Sequence, residues 1–213
     1  MYNPEHFEEV RPEAIRGLIA EHPLGILVTQ GPDGLAANHI PFLLEGERGS
    51  LGTLIGHVAR KNEAWHNRNP TAEGLVIFQG PSAYVSPNWY PTKRQTQQVV
   101  PTYNYAVVHA YGAVAVHEDA KWLRGLVGKL TKRFEAAQAE PWRMGDAPAE
   151  FLDNQLVNIV GIEISISRII AKWKVSQNRP IADREGVVAA LRGTDDTEAS
   201  AVADLVEERI PRH

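Results

Sequence analysis

The sequence predicts an α+β fold that is mainly β, an antiparallel barrel or sandwich with helices at its periphery. In the first half of the chain, short apolar runs alternate with turns rich in glycine and proline, as is typical of antiparallel strands. After residue 118 the apolar spacing changes to that of an amphipathic helix. No G-x-G-x-x-G motif follows a predicted strand, which argues against a doubly wound sheet.

The elements of the first half follow one another with short connections. Pro12 opens a helix that ends at Pro23, and a glycine- and proline-rich turn is predicted at 30–34. Strands are predicted over 24–29, 35–44, 51–58, 74–79, 83–85 and 106–117, with a short helix over 62–67. The stretch 86–105 contains three prolines and clustered aromatics, which is more than a simple connection needs.

The second half is mainly helical by its pattern. Apolar residues mark one face of a helix from Leu123 to Phe134, and 148–157 is also predicted to be helical. Alternation around Ile164 predicts a strand, and the chain ends in two short helices separated by 192–196. We expect one barrel domain over residues 1–180, with residues 181–213 as a helical C-terminal segment packed on the same domain.

Composition excludes several classes of protein. The 213 residues include no cysteine, so disulfides, iron–sulfur clusters and cysteine nucleophiles are excluded, and any redox role must come from a bound cofactor. No apolar run reaches the length of a transmembrane helix and the start does not resemble a signal peptide, so we expect a cytoplasmic protein with no membrane contact.

Charge is distributed unevenly along the chain. The net charge is −4, but it divides into −6 over residues 1–47, +4 over 48–117 and −2 over 118–213. The basic middle suggests a local anionic ligand, although buried strands that lack carboxylates would give the same pattern. The basic face of 121–133 is typical of a solvated helix and the C-terminal helix is acidic, so direct DNA binding is doubtful.

Motifs for hydrolytic or metal chemistry are absent from the sequence. There is no G-x-S-x-G or H-E-x-x-H, and the histidines are scattered without the spacing of metal ligands. We therefore predict neither a catalytic side chain nor a metal site.

One candidate phosphate site lies where a predicted strand ends and a short helix begins. This segment contains His57, Arg60, Lys61 and Asn62. Free backbone N–H groups at a helix start and two adjacent cations suit a phosphate dianion. A solvated basic turn would explain the same residues.

Two aromatic clusters and a polar loop complete the candidate site. Flat side chains are interleaved with amides and hydroxyls, which suits the face and edge of a planar heterocycle, although aromatic stripes also build cores. The residues singled out are Gln79, Ser82, Trp89, Thr102 and Asn104, followed late in the chain by Lys174, Gln177 and Asn178. A planar cofactor that carries a phosphate, such as FMN, would explain all four clusters.

Six sequence runs, in this order, resemble the PaiB family of FMN-binding negative transcriptional regulators. They are NHIP at 38–41, GHVAR at 56–60, FQGPSAY at 78–84, WY at 89–90, PTYNY at 101–105 and SQNR at 176–179. Tyr103 stands where the family pattern has tryptophan, which keeps a stacking side chain. The resemblance implies an FMN-binding split β-barrel of six antiparallel strands, of Greek-key type, and a homodimer with FMN at the subunit interface.

The resemblance also implies roles for individual residues. Arg60, Lys61 and Asn62 would hold the phosphate, with His57 beside them. Residues of the other motifs would contact the rest of the cofactor. Asn38, His39 and Ile40 would run along the flavin and ribityl chain, Gln79 and Ser82 would face the flavin, and Lys174, Gln177 and Asn178 would reach the ring.

Two functions follow as hypotheses, and a third is an alternative to them. The protein is either an FMN-dependent oxidoreductase or a regulator that acts through a partner or a sensed small molecule. The alternative is a split barrel that binds another planar anion, such as haem, in place of FMN.

Overall fold

Seven strands and six α-helices make up the described part of the structure, a computed structural model that covers residues 1–211. The strands are β1 (Leu24–Gly31), β2 (Gly34–Pro41), β3 (Leu43–Glu45), β4 (Thr53–Ala59), β5 (Gly74–Val85), β6 (Thr102–His117) and β7 (Ile159–Lys174). The helices are α1 (Pro12–Glu21), α2 (Lys93–Thr96), α3 (Ala120–Glu135), α4 (Ala149–Leu156), α5 (Ile181–Arg192) and α6 (Thr197–Glu207). These elements confirm the predicted α+β, mainly β class.

The strands form a single sheet that closes on itself. Its order is β2-β1-β5-β6-β7-β4-β3, so β2 and β3 lie at opposite ends. Only Phe42 separates these two strands in the chain, and the ends of the sheet are thereby joined into a barrel. Pro41 pairs with Leu24 of β1 on one side of this residue. Leu43 pairs with Ile55 of β4 on the other. If β2 and β3 count as one bent strand, the barrel has the six strands that the resemblance implies.

Residue contacts divide the chain into two compact units. The barrel unit consists of Ile19–Phe78 and His109–Ile169. The terminal unit consists of Met1–Leu18, Gln79–Val108 and the residues from Ile170 onward. Strands β5, β6 and β7 each contribute to both. The predicted boundary at residue 180 stays a prediction, and residues 212 and 213 of its helical segment lie outside the described part.

Helix α3 covers one outer face of the barrel unit. Its start is capped by Asp119, whose carboxylate accepts from the backbone N–H of Trp122 at 2.8 Å. Leu126 and Leu130 are buried against Ile55 of β4. Burial of each such leucine contributes about 1.5–3 kcal/mol, so this apolar face fixes the helix on the sheet.

Helices α5 and α6 pack against each other in the terminal unit. Val187, Leu191, Val202 and Val206 are buried in the two helices. Asp196 caps α6, as the predicted break at 192–196 requires. The prediction of two short C-terminal helices is confirmed.

Strand β5 corrects one prediction. The sequence predicted two strands there, 74–79 and 83–85, separated by residues 80–82, whereas the structure has one continuous strand. A Cβ on Gly80 would lie 2.8 Å from the side chain of Leu18 and 3.3 Å from the carbonyl oxygen of Ala106. The glycine therefore permits close packing within the terminal unit and does not form a turn.

Three further boundaries differ from the sequence prediction. The predicted helix over 62–67 is a single 3₁₀ turn, Glu63–Trp65. Strand β6 begins at Thr102, four residues before the predicted start, because the polar and aromatic residues there alternate between the two faces of the sheet. The predicted strand over 35–44 is broken at Phe42, where the chain crosses from one end of the sheet to the other.

Candidate functional site

Arg60 lies directly after β4, where the sequence predicts a phosphate site. Its guanidinium donates to the carbonyl oxygens of Val157 at 2.8 Å and Ile159 at 3.3 Å. The same group forms an ion pair with Glu118. The side chain therefore ties the end of β4 to the start of β7, and its charge already has a carboxylate partner.

Two predicted site residues meet directly in the barrel unit. The Asn62 side-chain amide donates to Oδ1 of Asn38 at 2.9 Å, and its own Oδ1 accepts from the backbone N–H of Ala64 at 2.8 Å. The turn that Asn62 caps is three residues long, so it lacks the helix dipole that the predicted phosphate site partly required. The phosphate site itself stays a prediction, and it depends on the side chains and backbone N–H groups of this segment. Lys61 is exposed beside this turn.

The predicted residues of β2 differ in their surroundings. Asn38 is half-buried, His39 is exposed and Ile40 is buried. A Cβ on Gly56 would lie 2.9 Å from the side chain of Ile40, which places that side chain in the barrel core. The side chain of Ile40 is therefore part of the core, and the predicted contact of this residue with a cofactor stays a prediction.

His57 is half-buried on β4, opposite Gly161 of β7. Its Nδ1 is buried without a hydrogen-bond partner among the described residues. Burial lowers the pKa of His57, which favours the neutral form of the imidazole. A buried ring nitrogen without a partner is the kind of orphaned polar atom that a ligand would satisfy.

The predicted residues of β5 and the loop that follows lie in the terminal unit. Gln79 is exposed, and Ser82 is half-buried with its backbone N–H donating to the carboxylate of Glu198 at 3.3 Å. The carbonyl oxygen of Trp89 lies 2.2 Å from the place that a Cβ on Gly186 would occupy. That glycine allows α5 to approach the loop closely.

Lys174, the last residue of β7, contacts the start of β6. Its ammonium donates to the hydroxyl of Thr102 and to the carbonyl oxygen of Tyr103. Burial lowers the pKa of Lys174, and the nearby charges of Lys172 and Arg179 lower it further. The structure thus joins two predicted site residues, Lys174 and Thr102, in one contact.

The amides of Asn104 and Gln177 already have partners within the terminal unit. Asn104 is buried and donates to the hydroxyl of Ser176 at 2.9 Å. Gln177 accepts from the backbone N–H of Val175 at 2.8 Å and donates to the carbonyl oxygen of Trp173. These two side chains shape the loop after β7, whereas Asn178 is exposed.

Arg184 of α5 was not predicted from the sequence, yet it holds this loop in place. Its guanidinium donates to the carbonyl oxygens of Gln177, Arg179 and Arg209. Nothing in the local sequence indicates this, since the three carbonyls come from two other segments of the chain. Arg184 acts here as a positioning residue for the loop.

The predicted site residues therefore lie in two groups, and their roles towards a cofactor stay predictions. The barrel unit holds Asn38, His39, Ile40, His57, Arg60, Lys61 and Asn62. The terminal unit holds Gln79, Ser82, Trp89, Thr102, Asn104, Lys174, Gln177 and Asn178. In the described residues 1–211, no three metal-ligating side chains are grouped to hold an ion. Within that same part, no helix has the length and apolar character needed to cross a membrane.

Known proteins were compared with the chain by sequence and by structure. A family model described as "Putative FMN-binding domain" matches residues 1–168. The protease synthase and sporulation protein PAI 2 of Bacillus subtilis is 31% identical over 212 residues, covering 100% of this chain and 99% of that protein. This match agrees with the PaiB resemblance.

Solved structures with the same fold include flavin proteins. The flavocytochrome Anf3 from Azotobacter vinelandii has a TM-score of 0.59 and 12% identity, over 92% of this chain and 75% of its own. The FAD and heme binding protein from Mycobacterium smegmatis has a TM-score of 0.56 and 17% identity, over 78% and 73%. At these identities the likeness shows the fold alone.

The family match extends over more than two thirds of the sequence, and the Bacillus relative is similar over the whole chain. The chain therefore belongs to the FMN-binding domain family, with a split-barrel fold and with FMN as the cofactor that this family supports.

Proposed function

We propose that this protein binds FMN and that the segment from Arg60 to Asn62 holds the phosphate of the cofactor. The family match over residues 1–168, which includes this segment, carries the proposal. A phosphate dianion needs several strong donors, and cations with N–H groups form the shortest and strongest such hydrogen bonds.

The side chains of this segment fit a phosphate. The partner of Arg60, Glu118, is 54% exposed, so a phosphate can replace its carboxylate without leaving a buried charge unpaired. Lys61 supplies an exposed ammonium group. The bond between Asn62 and Asn38 fixes the turn on β2, so the donors are held before the ligand arrives.

His57 and Asn38 supply the polar contacts for the rest of the cofactor. The unpartnered Nδ1 of His57 is free to bond a ribityl hydroxyl or the edge of the ring, and its neutral state avoids a buried charge. FMN, when bound, supplies redox chemistry that no side chain of this cysteine-free chain offers. The chain binds and orients the cofactor, and oxidoreductase activity is part of this proposal.

We propose further that any regulatory role is indirect. The Bacillus relative is named for protease synthesis and sporulation. In this chain, α6 carries Asp204 and Glu207. Their carboxylates pair with Arg192 and neutralise the positive charge of that arginine. An acidic helix repels the phosphate backbone of DNA, so a sensed small molecule or a protein partner is the favoured route.

A cytoplasmic homodimer with FMN at the subunit interface completes the proposal. Strand β2 supports it, because residues 34–37 are exposed on both faces of the strand. Leu35 leaves 79% of its area open, which favours contact with a second copy.

An absorbance spectrum and two titrations test the proposal. We expect the purified protein to bind FMN with flavin absorbance bands, and to bind riboflavin, which lacks the phosphate, at least tenfold more weakly. Lys61→Gln should weaken FMN binding about tenfold, equivalent to about 1.4 kcal/mol, and leave riboflavin binding unchanged. Lys121→Gln, at another exposed lysine of the barrel unit, is the matched control.

Three outcomes would contradict it. Protein that takes up no FMN refutes the cofactor assignment for this chain. A Soret band that forms with haem while FMN is not bound favours the other planar anion. Equal affinity for FMN and riboflavin would show that the proposed segment does not hold the phosphate.

A further inference from the structure

Three cations of the terminal unit lie close together in sequence and have no carboxylate partner. Lys172, Lys174 and Arg179, here called the cation cluster, lie at the end of β7 and in the loop that follows. No carboxylate of residues 1–211 lies within 4.0 Å of their charged groups. The ion pairs of this unit use other arginines, namely Arg11, Arg192 and Arg209.

Lys172 is buried among aromatic rings. Its ammonium donates to the carbonyl oxygen of Tyr2 at 3.0 Å and lies 5.7 Å from the ring centroids of Tyr2, Phe7 and Tyr105. Cation–π contacts stabilise this charge without cancelling it. Lys172 thus adds a fixed positive potential to the cluster and is not itself open to a ligand.

Lys174 and Arg179 are only partly buried and are open to a ligand. The guanidinium of Arg179 lies 4.9 Å from the ring centroid of the buried Tyr90. Between the two cations, Ser176 has a φ of 64°, a left-handed conformation that costs a non-glycine residue free energy. Three like charges and a residue in a left-handed conformation occur together here, and a bound anion would relieve the repulsion between the charges.

An exposed pair of tyrosines adjoins the cluster. Tyr84 on β5 is 48% exposed and Tyr103 on β6 is 59% exposed, and their ring centroids lie 5.9 Å apart at an interplanar angle of 70°. Lys174 donates to the carbonyl oxygen of Tyr103, so the ammonium and the aromatic surface are neighbours. Open aromatic faces beside unpaired cations suit a flat ring that carries a negative group.

We infer that the cation cluster and the Tyr84–Tyr103 pair form a binding site for a planar aromatic anion, one that carries a carboxylate or a phosphate group. Its charged group is held by Lys174 and Arg179, and its ring lies against the two tyrosines. The inference rests on the proposed function in one respect, namely that the FMN phosphate is held by the segment from Arg60 to Asn62. It replaces the contact with the flavin ring that the family resemblance implies for Lys174.

Calorimetric titrations with benzoate and phenyl phosphate test the site, on the cofactor-free protein and on the protein saturated with FMN. Both probes should bind in both states. Lys174→Met and Arg179→Gln should each weaken binding at least tenfold, and Arg179→Gln should change FMN affinity less than threefold. Arg94→Gln, at an exposed arginine of the same unit, should change nothing. Lys174→Arg, which keeps the charge, should restore most of the affinity.

Tyr103→Leu separates the ring from the charge. It should weaken phenyl phosphate about fivefold and leave inorganic phosphate unaffected, because only the former has a ring to stack. Circular dichroism of each variant confirms that the fold is retained.

Several results would overturn the inference. It falls if neither probe binds to the wild-type protein, or if saturation with FMN abolishes probe binding. It also falls if FMN affinity drops in parallel in Arg179→Gln, since the cluster would then hold the cofactor itself. If the wild-type protein binds both probes but no FMN, the proposed function fails and the anion site stands.

Discussion

Arg60 in the barrel unit and Lys174 in the terminal unit are both cations at strand ends, yet they have different partners. Arg60 pairs with a carboxylate, Glu118, and with two carbonyl oxygens. Lys174 contacts a hydroxyl and a carbonyl oxygen, and the charges nearest to it are also positive. A phosphate at Arg60 must displace a carboxylate, whereas an anion at Lys174 displaces none. A cation at a strand end is therefore paired with a carboxylate in the barrel unit, whereas in the terminal unit it has no carboxylate partner among residues 1–211.

The largest expected effect concerns the residue that positions the loop after β7. Arg184→Met removes the donor to three carbonyl oxygens, so we expect the free energy of unfolding to fall by about 2–3 kcal/mol. Urea denaturation measures it, with Arg16→Met on the exposed face of α1 as the control. A loss below about 0.5 kcal/mol would mean that the loop keeps its conformation without the hydrogen bonds of Arg184. The fixed position of Lys174 and its neighbours, on which the comparison with Arg60 depends, would then lose its support.

Neutralising each of the two cations tests the comparison directly. Arg60→Met should lower the free energy of unfolding by about 1 kcal/mol, since it removes a partly exposed ion pair and two hydrogen bonds. Lys174→Met should lower the free energy of unfolding by no more than about 0.5 kcal/mol, or raise it. The variant loses two hydrogen bonds, but the repulsion from Lys172 and Arg179 and the cost of burying the ammonium also disappear. Chemical denaturation at neutral pH of the cofactor-free proteins gives both values. Equal losses for the two variants would contradict the distinction.

The smallest expected effect is a pH dependence specific to Lys174. Burial and the charges of Lys172 and Arg179 place the pKa of Lys174 below its ordinary value of 10.5. At a pH between the pKa of Lys174 in the folded protein and 10.5, its pKa in the unfolded chain, the unfolded chain binds more protons than the folded one. Lys174 therefore makes the free energy of unfolding rise with pH in this range. The destabilisation caused by the charged form of Lys174 is fully present below its pKa in the folded protein and is gone above 10.5.

Urea denaturation from pH 7 to pH 10.5 in steps of about half a unit measures this slope. We expect a shallower rise in Lys174→Met than in the wild-type protein, and an unchanged rise in Lys121→Met, an exposed lysine of α3. Identical slopes in all three proteins would show that Lys174 is not destabilised by its surroundings.

The barrel could be predicted because its strands follow local rules. Alternating apolar residues and turns at Gly34 and around Gly49 mark strands whatever the rest of the chain does. The predicted gap at residues 80–82 was wrong because Gly80 serves close packing against the side chain of Leu18, which is distant in sequence. Packing of that kind cannot be read from adjacent residues.

The candidate site was predictable in position and less so in its contacts. The motifs place Arg60 and Lys174 at strand ends, and the structure agrees. The bond between Asn62 and Asn38 spans 24 residues and depends on how β2 and β4 are brought together. Gln177 was expected to face a ligand, but its amide bonds the backbone of its own loop, which local sequence permits without requiring.

The joining of the two sheet ends at Phe42 has a consequence for how the chain folds. Strands β1 to β4 are local and can pair soon after synthesis, but β4 receives its other neighbour, β7, from about a hundred residues further on. At roughly 5–20 residues per second, the ribosome needs about 5–20 s to supply that partner. During that interval the edge of β4 that later pairs with β7, including the backbone of Leu54 and Ile55, has no neighbouring strand. We therefore expect the pairing of β4 with β7, which closes the barrel, to form late in folding.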